Sequence, residues 1–398
     1  MVRLEMLPAA HGDCLWIEYG RGDDVRRILI DGGPGHTYPA LYERVLHLPA
    51  GQRRFELFII THIDADHIEG AIRLLNDADD LGLEFDRIWF NGYQQLMAIP
   101  GAEGRLGAPQ GEMLSLLISD YVARTGKNVW NAGLPDARAA FDPGASRLPE
   151  AMLGGDCRLT LLSPDFDRLH ELRQHWEAEL RAERIVSGDE MALRTRLLRS
   201  KTLKGVGGVL GGEQDDAPVY ELPAADDADL QSGARLGGSK GEPGAGSPFG
   251  SDPSLANGSS IAVLLEYPAA KPEVRLILTG DAWAQVLEKA VVKLLATPGA
   301  RLDVDGFKIP HHGSVANLSE SLLGRLRCRQ YFVSTSGAKF RHPHVRSVDL
   351  LLTTHGGRGK PLLNFNYNSK TTAAWTDEEQ QKSRGYKAQF PAGLSMQW

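Results

Sequence analysis

Phe55-Glu56-Leu57-Phe58-Ile59-Ile60-Thr61-His62-Ile63-Asp64-Ala65-Asp66-His67 opens as a short apolar run and closes on four ionisable side chains within six residues. The apolar half is a strand of the buried kind, and residues 68–76 beyond it have helical spacing. Polar residues crowded between a buried strand and a helix sit where α/β folds place their chemistry. The stretch therefore predicts an α/β fold with a site at the C-terminal end of this strand.

Upstream, residues 2–7, 14–19 and 27–30 read as strands, with Gly12-Asp13 and Gly20-Arg21-Gly22 as turns. The third strand runs into the loop Asp31-Gly32-Gly33-Pro34-Gly35. Far downstream, residues 260–267 and 274–279 form a strand pair, the second ending in Gly280-Asp281, and an amphipathic helix fits 282–295. A strand over 306–310 ends in His311-His312-Gly313-Ser314, and one over 330–334 precedes a loop holding His342-Pro343-His344. Residues 362–368 read as a final strand. Three separate downstream strands thus lead into side chains of the metal-binding kind.

The middle of the chain is less regular. Residues from about 112 to 123 and from about 166 to 198 have helical spacing, while about 204 to 256 is rich in Gly, Ala, Asp, Ser and Pro. The reading is one domain over 1–398 carrying an insertion over about 100–255, helical in its part from about 110 to 200 and flexible beyond 204. Trp130, Tyr121 and Trp176 in the insertion are read as core anchors, with stacking on bases as the other reading.

Bulk properties bound the rest. With 398 residues, 42% of them hydrophobic, the chain can bury a large core without cross-links. Cys14, Cys157 and Cys328 lie far apart with no CxxC pairing, which points to a reduced, cytoplasmic setting. No stretch approaches the roughly 20 apolar residues of a membrane span. A net charge of -7 gives no global attraction for nucleic acid, but local basic patches can still hold a polyanion.

Imidazole nitrogen and carboxylate oxygen suit zinc, manganese or iron, and a metal pair needs about six ligands converging from several elements. His62, Asp64, Asp66, His67, Asp281 and His311 supply six. A lone Asp after a strand is usually a helix cap, and a lone His is usually a core or surface residue. Four ionisable residues at one strand end have little structural purpose.

The run Thr61-His-Ile-Asp-Ala-Asp-His-Ile-Glu-Gly70 resembles the HxHxDH signature of the metallo-β-lactamase superfamily, in the HxDxDH form of the branch similar to the ComEC competence-protein nuclease domain. Gly12-Asp13, Leu29-Ile-Asp-Gly-Gly33, Asn257-Gly-Ser-Ser-Ile261, Leu278-Thr-Gly-Asp281, Lys308-Ile-Pro-His-His-Gly-Ser314 and His342-Pro343 follow that branch's order. The likeness covers roughly residues 2–92 and 256–345. It implies a four-layer αββα sandwich with two divalent ions, Mn2+ or Zn2+ with Mg2+ as a further option, at one edge of the sheets. His62 and Asp64 are implied to hold one ion and Asp66 and His67 the other, with Asp281 bridging and His311 closing the second site. His312 is the alternative to His311. Asp31, Asn257, Ser259, His312 and Ser314 are expected around the ligands or the substrate.

Two departures shape the expected chemistry. Asp64 stands where the superfamily usually has a histidine, and no Gly-His-Thr segment supplies the usual middle one. A harder first site favours manganese or magnesium over zinc.

The implied activity is that of a metal-dependent hydrolase, a phosphodiesterase or nuclease acting on DNA or another nucleotide substrate through a metal-activated water that Asp66 orients. Lys308, Ser314 and His342 are expected to contact a phosphate or protonate the leaving oxygen. Each also has a plain reading: a solvated lysine, a helix cap and a turn residue. The alternatives are hydrolysis of a carboxylic, thioester or lactam bond, and a partner-activated effector in which the insertion docks another protein. Members of this branch occur in bacterial gene-uptake and defence settings.

Overall fold

Along the strand Leu15–Arg21, Leu15 and Ile17 enter one hydrophobic cluster and Trp16 another, because successive side chains of a strand face opposite ways. The same division separates Leu57 and Ile59 from Phe58, Val263 and Leu265 from Leu264, and Leu276 and Leu278 from Ile277. Strands apolar on both faces belong to sheets covered on both faces.

The computed structural model describes residues 1–97, 109–183, 252–356 and 359–398. Its six-stranded sheet runs, edge to edge, Ser395–Gln397, Val2–Met6, Leu15–Arg21, Asp24–Ile30, Leu57–Ile59 and Ile88–Trp89. Its eight-stranded sheet runs Lys387–Gln389, Leu362–Phe365, Leu326–Val333, Leu302–Lys308, Val274–Leu278, Ala262–Tyr267, Cys157–Ser163 and Glu150–Leu153. From Asp24–Ile30 to Ile88–Trp89 in the first sheet, and from Val274–Leu278 to Lys387–Gln389 in the second, neighbours are parallel.

The two sheets share a cluster in which Ile17, Ile28 and Ile59 meet residues such as Leu159, Val263, Leu276 and Phe332. On its other face the first sheet packs Trp16, Leu29 and Phe58 against the helices Tyr38–Leu46, Ala65–Asn76 and Pro109–Thr125. The second sheet packs Ile277, Phe307 and Tyr331 against Ala284–Leu294 and Val345–Thr354. The expected α/β class is what the chain adopts.

Three expectations are corrected. The stretch read as helical from about 110 to 200 contains the strands Glu150–Leu153 and Cys157–Ser163, the latter paired with Ala262–Tyr267. The physical reason is its alternation: Leu159 and Leu161 face the shared cluster and Leu162 the outer one, a period of two that the charged flanks conceal. Part of the flexible expectation, 204–251, and the helical one beyond 183 fall outside the described residues, but Asp252 is buried and Leu255–Gly258 is a helical turn. Leu362–Phe365 is a strand but not the last, since Lys387–Gln389 and Ser395–Gln397 follow and the latter pairs with Val2–Met6. No helix among the described residues is long and apolar enough to cross a membrane.

Candidate metal centre

Parallel strands deliver their C-terminal ends to one region: Asp24–Ile30 ends at Asp31, Leu57–Ile59 at the 61–64 loop and the first turn of the Ala65–Asn76 helix, Val274–Leu278 at Asp281, and Leu302–Lys308 at His311 and His312. Ile261 donates its backbone N–H to Thr61 at 2.9 Å and so ties the two sheets together at this end. Glycine allows the close approaches. A Cβ on Gly12 would lie 1.7 Å from the Asp66 carbonyl oxygen, and one on Gly32 would lie 2.1 Å from Ala71 N. No other residue lets the N-terminal loops press against the start of the Ala65–Asn76 helix.

His62, His67 and Asp281 can each bring a ligand atom within 4.8 Å of the others, as can Asp66, His67 and His312, and Asp13, Asp281 and His312. Asp281 Oδ2 is the centre of the array, 3.4 Å from His67 Nε2, 3.5 Å from His312 Nε2 and 3.8 Å from His311 Nε2. The Nε2 atoms of His62, His67 and His312 are buried and have no hydrogen-bond partner. Buried polar groups are ordinarily satisfied, so three such nitrogens converging on one carboxylate fit a cation.

The other nitrogen of each ring is held. His67 Nδ1 lies 2.8 Å from Asp31 Oδ2, and His312 Nδ1 lies 2.9 Å from the Ser334 carbonyl oxygen. His62 Nδ1 is 2.9 Å from Thr61 Oγ1 and 3.2 Å from Ser260 Oγ. Such outer contacts fix ring orientation and tautomer in metal sites. Asp31 also accepts from Thr61 N and Thr61 Oγ1, at 2.7 and 2.8 Å. Its φ of 58° and those of His311 and His312, 47° and 55°, lie in the left-handed region that disfavours side chains.

The electrostatics favour a positive guest. Burial alone would push His67 down, yet Asp281, Asp31 and Asp66 raise it well above the ordinary imidazole range. Burial would raise Asp281, yet His312, His67 and His311 hold it well below the ordinary carboxylate range. For His311 burial is outweighed by Asp281 and Asp252, which hold it up at about 9.

Placement of the sequence candidates is mixed. His62, His67, Asp66 and Asp281 come together in the array, and Asp31 hydrogen-bonds with His67 behind it. Asp64 stands at the rim, its side chain 40% exposed and its carboxylate 3.6 Å from His62 Nε2. His312 rather than His311 takes part in the buried groups. His311 faces a second set: Asn317 Oδ1 at 2.8 Å, Asn257 Nδ2 at 3.4 Å and Asp252 Oδ2 at 3.6 Å.

The expected phosphate contact from Lys308 is corrected. Its ammonium is fully buried, pairs with Asp13, donates to the Gly280 carbonyl oxygen at 3.2 Å and lies 4.0 Å from Asp281. Ser314 is a cap, its hydroxyl accepting from Ala316 N, and Ser259 donates to the Ala256 carbonyl oxygen at 2.7 Å, away from the array. His342 is buried against His311 and His312, and burial and those two rings, with His344, push it well below the ordinary range. A ring kept neutral there is a poor proton donor to a leaving group.

Asp13, Asp252, Ser260 and Asn317 are the site residues to which sequence reasoning gave no role. Gly12-Asp13 was legible as a turn and as one motif of the resemblance, and Asp252 lies in a Gly/Ser/Pro-rich stretch with no periodicity. The chain matches no known protein family and no curated protein.

Proposed function

We propose that this chain is a metal-dependent hydrolase of phosphodiester bonds, of the metallo-β-lactamase type in its ComEC-like branch, acting on DNA or a related nucleotide substrate. The observation that carries the reading is the convergence of the unpartnered Nε2 atoms of His62, His67 and His312 on Asp281, each ring clamped from behind. Two sheets packed face to face with helices outside, and the order of the motifs along the chain, support the αββα sandwich.

His62, His67, His312 and Asp281 are the residues suited to hold a divalent ion, with Asp66 beside them, Asp64 near His62 and His311 near Asp281. Bound there, such an ion supplies positive charge to the phosphoryl oxygens and lowers the pKa of an attacking water. The chain's own groups do the rest. Asp66 Oδ2, 3.9 Å from both His67 Nε2 and His312 Nε2, is placed to orient a water and accept its proton. Burial would raise Asp66, but His67, His11 and His312 hold it below its ordinary value, so it is ionised at neutral pH. Lys308 and Asp13 hold Asp281 and His312 in place from inside. The buried donor set is rich in imidazole, which suits zinc or manganese better than magnesium.

The test is metal content of the purified protein together with hydrolysis of bis(p-nitrophenyl) phosphate and of DNA with added Mn2+ or Zn2+. Activity that EDTA removes and Asp66→Ala abolishes is expected. Metal-free protein that refuses divalent ions, or loaded protein inert toward every phosphodiester, sinks the reading.

A further inference from the structure

Six rings lie in contact from the surface to the buried imidazoles. His36 stacks on His11 at 6.3 Å, His11 meets Phe340 edge-on at 5.8 Å, and Phe340 leans on His342 at 5.9 Å. His342 in turn touches His311 at 5.4 Å and His312 at 6.4 Å. The inner end of this series is therefore the proposed metal centre.

Phe340 is 40% exposed, and it is the sole aromatic among the large apolar side chains exposed in the described residues. Lys339 and Arg341 on either side of it are exposed as well, and the Lys339 ammonium stands 5.3 Å from the Phe340 ring centroid. The loop is held rather than loose. Ser336 N donates to the Ala10 carbonyl oxygen at 2.7 Å, Ser334 Oγ to that of Gly12 at 3.0 Å, and Thr371 Oγ1 to that of His342 at 2.7 Å. By contrast Tyr121 and Trp176 are buried in the core and Trp130 packs half-buried against it.

A rigid, half-exposed ring between two cations has the chemistry of a base-stacking platform with a phosphate grip on each side. We infer that Phe340 stacks an unpaired base while Lys339 and Arg341 hold its phosphates, so that the substrate is single-stranded nucleic acid led to the metal centre past His342. This rests on the phosphodiester reading. Paired bases present no free face within a duplex, so a lone platform selects unpaired strands.

Binding tests it without catalysis. The probe is a fluorescein-labelled phosphorothioate strand of about twelve thymidines, beside a duplex and an abasic strand of equal length, read by anisotropy with the full chain. The base-bearing single strand should bind tightest. Phe340→Ala should weaken it about 5- to 100-fold while leaving the abasic strand unchanged, and Phe340→Trp should restore it. Lys339→Gln with Arg341→Gln should flatten the salt dependence for all strands.

Equal binding of abasic and base-bearing strands, no effect of Phe340→Ala, or binding to anionic vesicles in place of the oligonucleotide overturns the inference. Wild-type hydrolysis of bis(p-nitrophenyl) phosphate reports separately on the metal centre. Activity there with no base-dependent binding removes this inference alone.

Discussion

Asp31 Oδ2 stands 2.8 Å from His67 Nδ1, with neither side chain exposed to solvent, and the same oxygen accepts from Thr61 Oγ1. One carboxylate thereby sets the direction of His67 Nε2 and pins the residue before His62. Asp31→Asn keeps the shape but exchanges a charged acceptor for a neutral amide. Metal affinity should fall about 10- to 100-fold, measured by competition with a chelator, while the fold survives by circular dichroism. Wild-type affinity in Asp31→Asn would show that His67 does not depend on this contact.

Lys308 and Asp13 form an ion pair with no exposed surface on the lysine. Removing one partner strands the other charge in the interior, which costs about 3–5 kcal/mol. Lys308→Met should lower stability by that order in urea titrations, and Asp13→Asn should do likewise. The double variant should recover much of the loss, because no unpaired charge then remains. Strictly additive effects would mean that the two residues do not act as a pair.

These two relationships show how far the sequence could be read. Leu29-Ile-Asp-Gly-Gly33 and the 61–67 run are local patterns, and a local pattern survives in a list of residues. Asp13 and Lys308 are 295 positions apart, so only the folded chain brings the lysine of one sheet to the turn of the other. The choice between His311 and His312 was beyond the pattern for a similar reason. Both have positive φ, and Ser334, a residue from the next parallel strand's end, holds one of them while Asn317 holds the other. The strand Cys157–Ser163 was hidden by its charged flanks, and its burial comes from pairing with Ala262–Tyr267, about a hundred residues later.

Asp252 accepts from Asn257 Nδ2 and Asn317 Nδ2 at 2.8 Å each and faces His311 Nδ1 at 3.6 Å. It therefore orients His311 and leaves His62, His67 and His312 alone. Asp252→Ala should weaken one of two bound ions about tenfold and spare the other, read from a calorimetric titration with Mn2+. Equal weakening of both ions, or a titration identical to wild type, would refute the division of the centre into two unequal halves.

Protons and metal ions compete for the same nitrogens, and the direction of that competition follows from the charges. In the metal-free chain His311 keeps its proton up to about 9, and His67 keeps its own well above the ordinary range. A raised folded-state pKa contributes stability that is complete below the unfolded value of about 6.5 and is lost as pH climbs toward the folded one. The EDTA-treated protein should therefore melt at progressively lower temperature from about pH 6.5 to 8.5. A divalent ion takes the place of those protons between the same carboxylates, so binding near pH 7.5 must expel them, and apparent affinity should rise by up to about tenfold per pH unit for each proton displaced. Calorimetric titrations in two buffers of different ionisation heat count the protons directly. A count of zero would place His67 and His311 outside the metal's reach, and a metal-free melting temperature that climbs across this range would show that their protons do not stabilise the fold.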